Sequence, residues 1–132
     1  MNPARVGRII GEAAGLRVRL VNGEIVRLLL DKDFTMGGHW YVYKYVPRRE
    51  VWLEEGLSQQ AMACTLLHEL VERTLQMKKR YSYDRAHDFA NGVEAQLRTH
   101  LFRYGMGGET PLQIAGRWYA RWQRTHRDKL AA

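Results

Sequence analysis

The sequence predicts an α+β domain: a small antiparallel sheet of two hairpins followed by three helices. Three observations carry this. Residues 16–54 hold short apolar stretches with strand-like alternation, broken by turn residues. From residue 58 onward the apolar period switches to that of helices. Nothing repeats, and no glycine-rich stretch is long enough to be a linker, so residues 1–132 read as one domain, β-rich over 1–56 and helical over 57–128.

In the first hairpin, Leu16, Val18 and Leu20 alternate with Arg17 and Arg19, Asn22-Gly23 supplies the turn, and Ile25, Val26, Leu28 and Leu30 return. Gly37-Gly38 marks a break. His39 to Val46 is rich in aromatic residues, with Tyr41, Tyr43 and Tyr45 on one face, and favours a strand. Pro47-Arg48-Arg49 then turns the chain into Glu50 to Glu54 as a second hairpin.

Ser58 is the N-cap of a helix running to about Lys78. Ser82 opens a second, stopped by Gly105, Gly107 and Gly108, and the two form an antiparallel hairpin. Thr110-Pro111-Leu112-Gln113 combines a cap, a first-turn proline and a capping-box glutamine, opening a third helix to roughly Arg127.

Composition narrows the function classes. With 132 residues, 45% hydrophobic, the chain can bury a core without a disulfide or metal, so a metal here would be functional. Cys64 is the only cysteine, which removes any intrachain disulfide and leaves nothing that demands an oxidising compartment, so a cytoplasmic setting is expected. Arg5, Arg8, Glu12, Arg17 and Arg19 interrupt what would be a signal peptide, and no run reaches membrane-spanning length. A net charge of +7 and a pI near 9.9 favour acidic partners, nucleic acid among them.

The chemistry concentrates on the two central helices. His68 and Glu72 are four residues apart on one helical face, where imidazole and carboxylate can hold one ion. Glu69 projects about 100° away, suited to a base beside the metal rather than a ligand. On the next helix His87, Asn91 and Glu94 form another polar line, flanked by Ala90, Leu97 and Leu101. His68 and Glu72 with His87 or Glu94 would give three protein ligands and leave a position for water. Zinc is the first expectation, with manganese and iron as alternatives.

Glu50 to Glu54, the stretch Leu66-Leu67-His68-Glu69-Leu70-Val71-Glu72-Arg73, and Tyr83, Ala86-His87 and Glu94 together resemble the His-Glu zincin metallopeptidases, particularly small phage and prophage proteins of zincin-like character. The resemblance covers about residues 50 to 95. It departs at Glu72, where the His-Glu-x-x-His motif has its second histidine. It implies a minimal zincin-like architecture and amide hydrolysis of a peptide or protein, in the host cytoplasm if phage-encoded. It also implies Glu69 as general base, His68, Glu72 and His87 as ligands, and Glu94 as an alternate ligand or the group orienting His87. Tyr83 or Arg98 would stabilise an oxyanion, and the strand Val51 to Leu53 would carry substrate along its edge.

Other signals have plainer readings. Cys64, one turn before His68, suits a core position. His39 follows two glycines and could approach the site from the sheet, but one histidine beside a strand reads as structural and stays outside the metal set; His100 and His126 have no ligand-like neighbours. On the third helix Trp118, Tyr119 and Trp122 mix with Arg117, Arg121, Arg124 and Arg127. Their helical spacing favours packing over base stacking. The alternative function is a basic interaction protein that binds nucleic acid or an acidic host protein through this helix or Lys78-Lys79-Arg80, its His/Glu cluster being structural.

Overall fold

A computed structural model describes residues 2–131. After a 3-10 turn over Pro3–Arg5, strands β1 (Gly7–Ala13) and β2 (Leu16–Val21) form an antiparallel hairpin. Ala14 and Gly15 make its turn, both with positive φ, as the tight hairpin requires. Helix α1 (Gly23–Leu29) follows, then β3 (Gly37–His39) and β4 (Glu50–Glu54). Four helices complete the chain: α2 (Gln59–Lys79), α3 (Tyr83–Tyr104), α4 (Pro111–Thr125) and the short α5 (Arg127–Ala131). No helix is long and apolar enough to cross a membrane among the described residues.

The α+β order of sheet then helices is as expected, but the sheet is mixed rather than two antiparallel hairpins. Its order is β1-β2-β4-β3, with β2 parallel to β4 and β3 antiparallel to β4. The expected return strand at residues 25–30 is α1. Asn22 caps this helix, its side-chain oxygen accepting the Ile25 N–H at 3.2 Å. A helix buries Val26 while leaving Leu28 and Leu29 exposed, and frees the second edge of β2 for β4. The β-rich part, 1–56, thus contains a helix, and the helical part adds α5 to the three helices expected.

The strand expected over His39 to Val46 is also corrected: only Gly37–His39 is extended. Past His39 the chain turns, with the Val42 and Tyr43 N–H groups both donating to the His39 carbonyl. Instead of sharing one strand face, Tyr43 and Tyr45 pack in a cluster while Tyr41 lies against His39 and Trp40. Tyr43 lies against Phe34 and Tyr45, and Tyr45 against Trp52. Gly38 lets this loop close, since a Cβ there would sit 2.3 Å from the Tyr43 ring.

The sheet packs on both faces around β2 and β4, while β1 is largely exposed. Leu16, Val18, Val51 and Leu53 join α2, α3 and α4 in the main core, while Val21 and Trp52 face a smaller cluster with Val6, Val26, Phe34 and Val46. Helix α2 runs through the middle, and every residue from Met62 to Leu75 is buried. Any polar residue in that stretch must find its partners inside the protein.

Glu50, on the smaller-cluster face, shows how the sheet pays for a buried charge. Its carboxylate accepts from Arg19 at 2.8 and 3.1 Å and from the Trp52 indole at 3.1 Å, with Arg17 at 3.8 Å. Burial alone would raise its pKa; the Arg19 and Trp52 hydrogen bonds and the arginine charges outweigh it and hold the carboxyl below its ordinary value of 4.5. Glu50→Ala is expected to destabilise the fold by about 3 kcal/mol in urea denaturation, the cost of stranding a buried partner. The depressed pKa means that this contribution is complete above about pH 4.5 and is lost as pH falls through the folded value. The wild type should therefore lose stability on acidification more steeply than Glu50→Ala, and parallel acid limbs would refute the pairing.

Candidate metal centre

Helix α2 presents Thr65, His68, Glu69 and Glu72 on one face, the i, i+3, i+4, i+7 line. They line a cavity of about 280 Å³ shared with Gly37 and Gly38 of β3, Tyr43, and Tyr83, His87, Asn91, Glu94 and Arg98 of α3. Arg80, in the left-handed conformation, ends α2, and Ser82 caps α3 by accepting the Arg85 N–H. This short reversal brings His87 alongside His68, their rings 4.8 Å apart.

Three donor atoms converge. His68 Nε2 is 3.0 Å from Glu72 Oε2, His87 Nδ1 is 3.0 Å from the same oxygen, and the two ring nitrogens are 3.2 Å apart. With Glu72 ionised, as its lowered pKa favours, no arrangement of protons satisfies this triangle. With both nitrogens protonated, two N–H groups oppose each other; with one protonated, a lone pair of the other nitrogen faces the carboxylate. A cation at the centre satisfies all three atoms. Donors 2.0–2.1 Å from a tetrahedral ion stand about 3.3 Å apart, close to the spacing found. Among the described residues, His68, Glu72 and His87 form one group able to hold a metal ion, and His39, Glu69 and Glu72 a second.

No protein-family model, curated protein or solved structure matches this chain. What the site can do therefore rests on its own atoms.

The electrostatics are those of closely packed ionisable groups. Burial works against a charged His68, but Glu72 and Glu94 outweigh it and raise the imidazole pKa to about 10. Glu72 is driven well below the usual carboxylate range: burial opposes ionisation, and contacts from His39, His68 and His87 overcome it. Glu69 goes the other way. Burial, then the neighbouring Glu72 charge, push its pKa up to about 8, and its Oε2 is buried without a hydrogen-bond partner.

Each residue singled out in the sequence has a definite place. Glu94 pairs with His68 rather than orienting His87: its Oε1 lies 2.9 Å from His68 Nδ1, on the side of the ring away from the triangle. There it forms an ion pair with His68 and lies outside the His68, Glu72 and His87 group. Arg98 forms an ion pair with Glu94. Tyr83 stacks on His87 at 5.1 Å and faces the cavity. The strand expected to offer its edge, Val51 to Leu53, is interior; the edge beside the cavity belongs to β3.

His39, outside the expected ligand set, does approach the site from the sheet: its fully buried Nε2 lies 2.9 Å from Glu72 Oε1. Burial holds its pKa below the ordinary value despite that carboxylate. Cys64 is a core residue, its thiol pKa raised by burial. On α4, Tyr119 and Trp122 are buried, Tyr119 bonding Thr74 at 2.6 Å, and Arg117 pairs with Glu109 at 2.6 Å. Those two rings pack into the domain, as the helical spacing predicts.

Proposed function

We propose that this chain is a zincin-like metal-dependent hydrolase acting on the amide bond of a peptide or protein, with one divalent ion, zinc first, held by His68, Glu72 and His87. The triangle of inward-facing donors at 3.0, 3.0 and 3.2 Å carries the reading. Two histidines and a glutamate are also the donor set of familiar catalytic zinc sites, so Glu72 in place of histidine is offset by His87 from the second helix.

When bound, such an ion acidifies a coordinated water and polarises a carbonyl. Glu69, one residue along the helix with an unpartnered oxygen, takes the water proton and passes it to the leaving nitrogen. Tyr83 offers a hydroxyl to the developing oxyanion from the cavity wall. The outer edge of β3, where the Gly37 N–H and the His39 carbonyl are already bonded within the chain, leaves the Gly37 carbonyl and the His39 N–H for an extended peptide.

Elemental analysis after zinc loading and exhaustive dialysis is expected to find one ion per chain, and none in His68→Ala. A folded wild-type chain that retains no ion overturns the proposal.

A further inference from the structure

The two oxygens of Glu72 have different duties. Oε2 faces His68 and His87, whereas Oε1 faces away from the triangle, toward His39 Nε2 at 2.9 Å. By donor type alone, His39 would join Glu69 and Glu72 in a second ion site, their ligand atoms all within 4.8 Å of one another. The other ring nitrogen of His39 argues against that.

The Tyr41 backbone N–H donates to His39 Nδ1 at 3.2 Å. Nδ1 is therefore an acceptor, and this partner assigns the proton of the neutral ring to Nε2. An ion on Nε2 would force that proton onto Nδ1, against the Tyr41 N–H, or leave an imidazolate. The turn resists rearrangement, because Val42 and Tyr43 both donate to the His39 carbonyl, at 3.2 and 2.9 Å. Ligating histidines ordinarily donate from their second nitrogen; His39 accepts there.

We propose that His39 is a positioning residue: its Nε2–H holds Glu72 Oε1, fixing the carboxylate so that Oε2 alone is presented to an ion between His68 and His87. The inference rests on the metal reading above and adds two consequences. The centre takes one ion, not two. The carboxylate also gives up part of its charge to the His39 N–H, so water on an ion held there would be more acidic than beside an unpartnered glutamate. His39 thereby lessens the electrostatic penalty of having glutamate where the zincin motif has histidine.

The test compares wild type, His39→Gln and His39→Leu, each checked for folding by circular dichroism. Zinc stoichiometry and affinity are read by competition with a chelating dye, and the cobalt-substituted proteins by their visible absorption. One ion per chain is expected in the wild type. His39→Leu should bind zinc about 10–100-fold more weakly, with a shifted cobalt spectrum. His39→Gln, whose amide keeps a donor for Oε1, should recover most of the affinity. Two ions in the wild type, or loss of one ion in a folded His39→Gln, would make His39 a ligand and overturn the proposal. One ion in the wild type with unchanged affinity in His39→Leu overturns it while leaving the centre intact. No ion in the wild type overturns both readings.

Discussion

Glu69→Gln is expected to keep its zinc and to hydrolyse an unstructured protein substrate about 10²–10⁴-fold more slowly than wild type, the range for loss of a positioned general base. The substitution is nearly isosteric, so the cavity keeps its shape while the basic oxygen is lost. Glu69 shares a helical face with His68 and Glu72, lines the cavity, and has Oε2 buried without a partner. A buried polar oxygen without a partner calls for a reason, and a catalytic role supplies one. Its raised pKa, about 8, comes from burial and the Glu72 charge. A neighbouring dication reverses that bias and favours the carboxylate, the form that accepts a proton. Full activity in the Gln variant would exclude Glu69 as base, and loss of the zinc would place it among the ligands.

The helices were legible in the sequence because their boundary signals are local. Ser58, Ser82 and Thr110 each accept the expected backbone N–H three residues on, and Gln113 closes the capping box on Thr110. The sheet was less legible because the same residues serve different structures. Asn22-Gly23 suits a hairpin turn as well as it suits an N-cap, and only the arrival of β4 beside β2 decides between them. Strand β1 was missed because Gly7 and Gly11 dilute its alternation, and a register shift between Ile9 and Gly11 breaks its period. The aromatic run after His39 has strand propensity, but that propensity reflects a fit to a half-buried pleated surface, and here the rings pack on one another.

The site divides in the same way. His68, Glu69 and Glu72 could be found because a helix brings residues three and four apart together, here Glu69 and His68 each to Glu72, and His87 because a short reversal pairs the two helices. His39 stands 33 residues from Glu72 and reaches it only through β3, so no spacing rule connects them. One signal was available: Gly37-Gly38 immediately precedes it. A Cβ at Gly37 would lie 2.8 Å from the Trp52 carbonyl and 3.1 Å from Thr65 Cγ2, so the glycine marks where the edge strand presses against β4 and α2. Spacing along α3 leaves Glu94 either an alternate ligand or a partner for His87, and packing between the helices brings it to His68.

Glu72→Ala is expected to weaken zinc binding by more than about 100-fold, beyond the range for groups that only support ligands. It should also destabilise the metal-free protein by about 1–3 kcal/mol, since the buried His39 N–H loses its acceptor. Glu72→His is the sharper test. It writes the full His-Glu-x-x-His motif into α2, so motif matching alone anticipates tighter binding. The geometry anticipates the opposite. An imidazole ligating through one nitrogen carries a proton on the other, and that N–H cannot accept from His39 Nε2. Two donors would then face each other in a fully buried space that now holds a donor and an acceptor. Chelator competition and thermal melts on the folded variants should therefore rank wild type above Glu72→His in both affinity and stability. A Glu72→His protein that binds zinc more tightly than wild type would show that a second histidine matters more here than the hydrogen bond tying Glu72 to the edge strand.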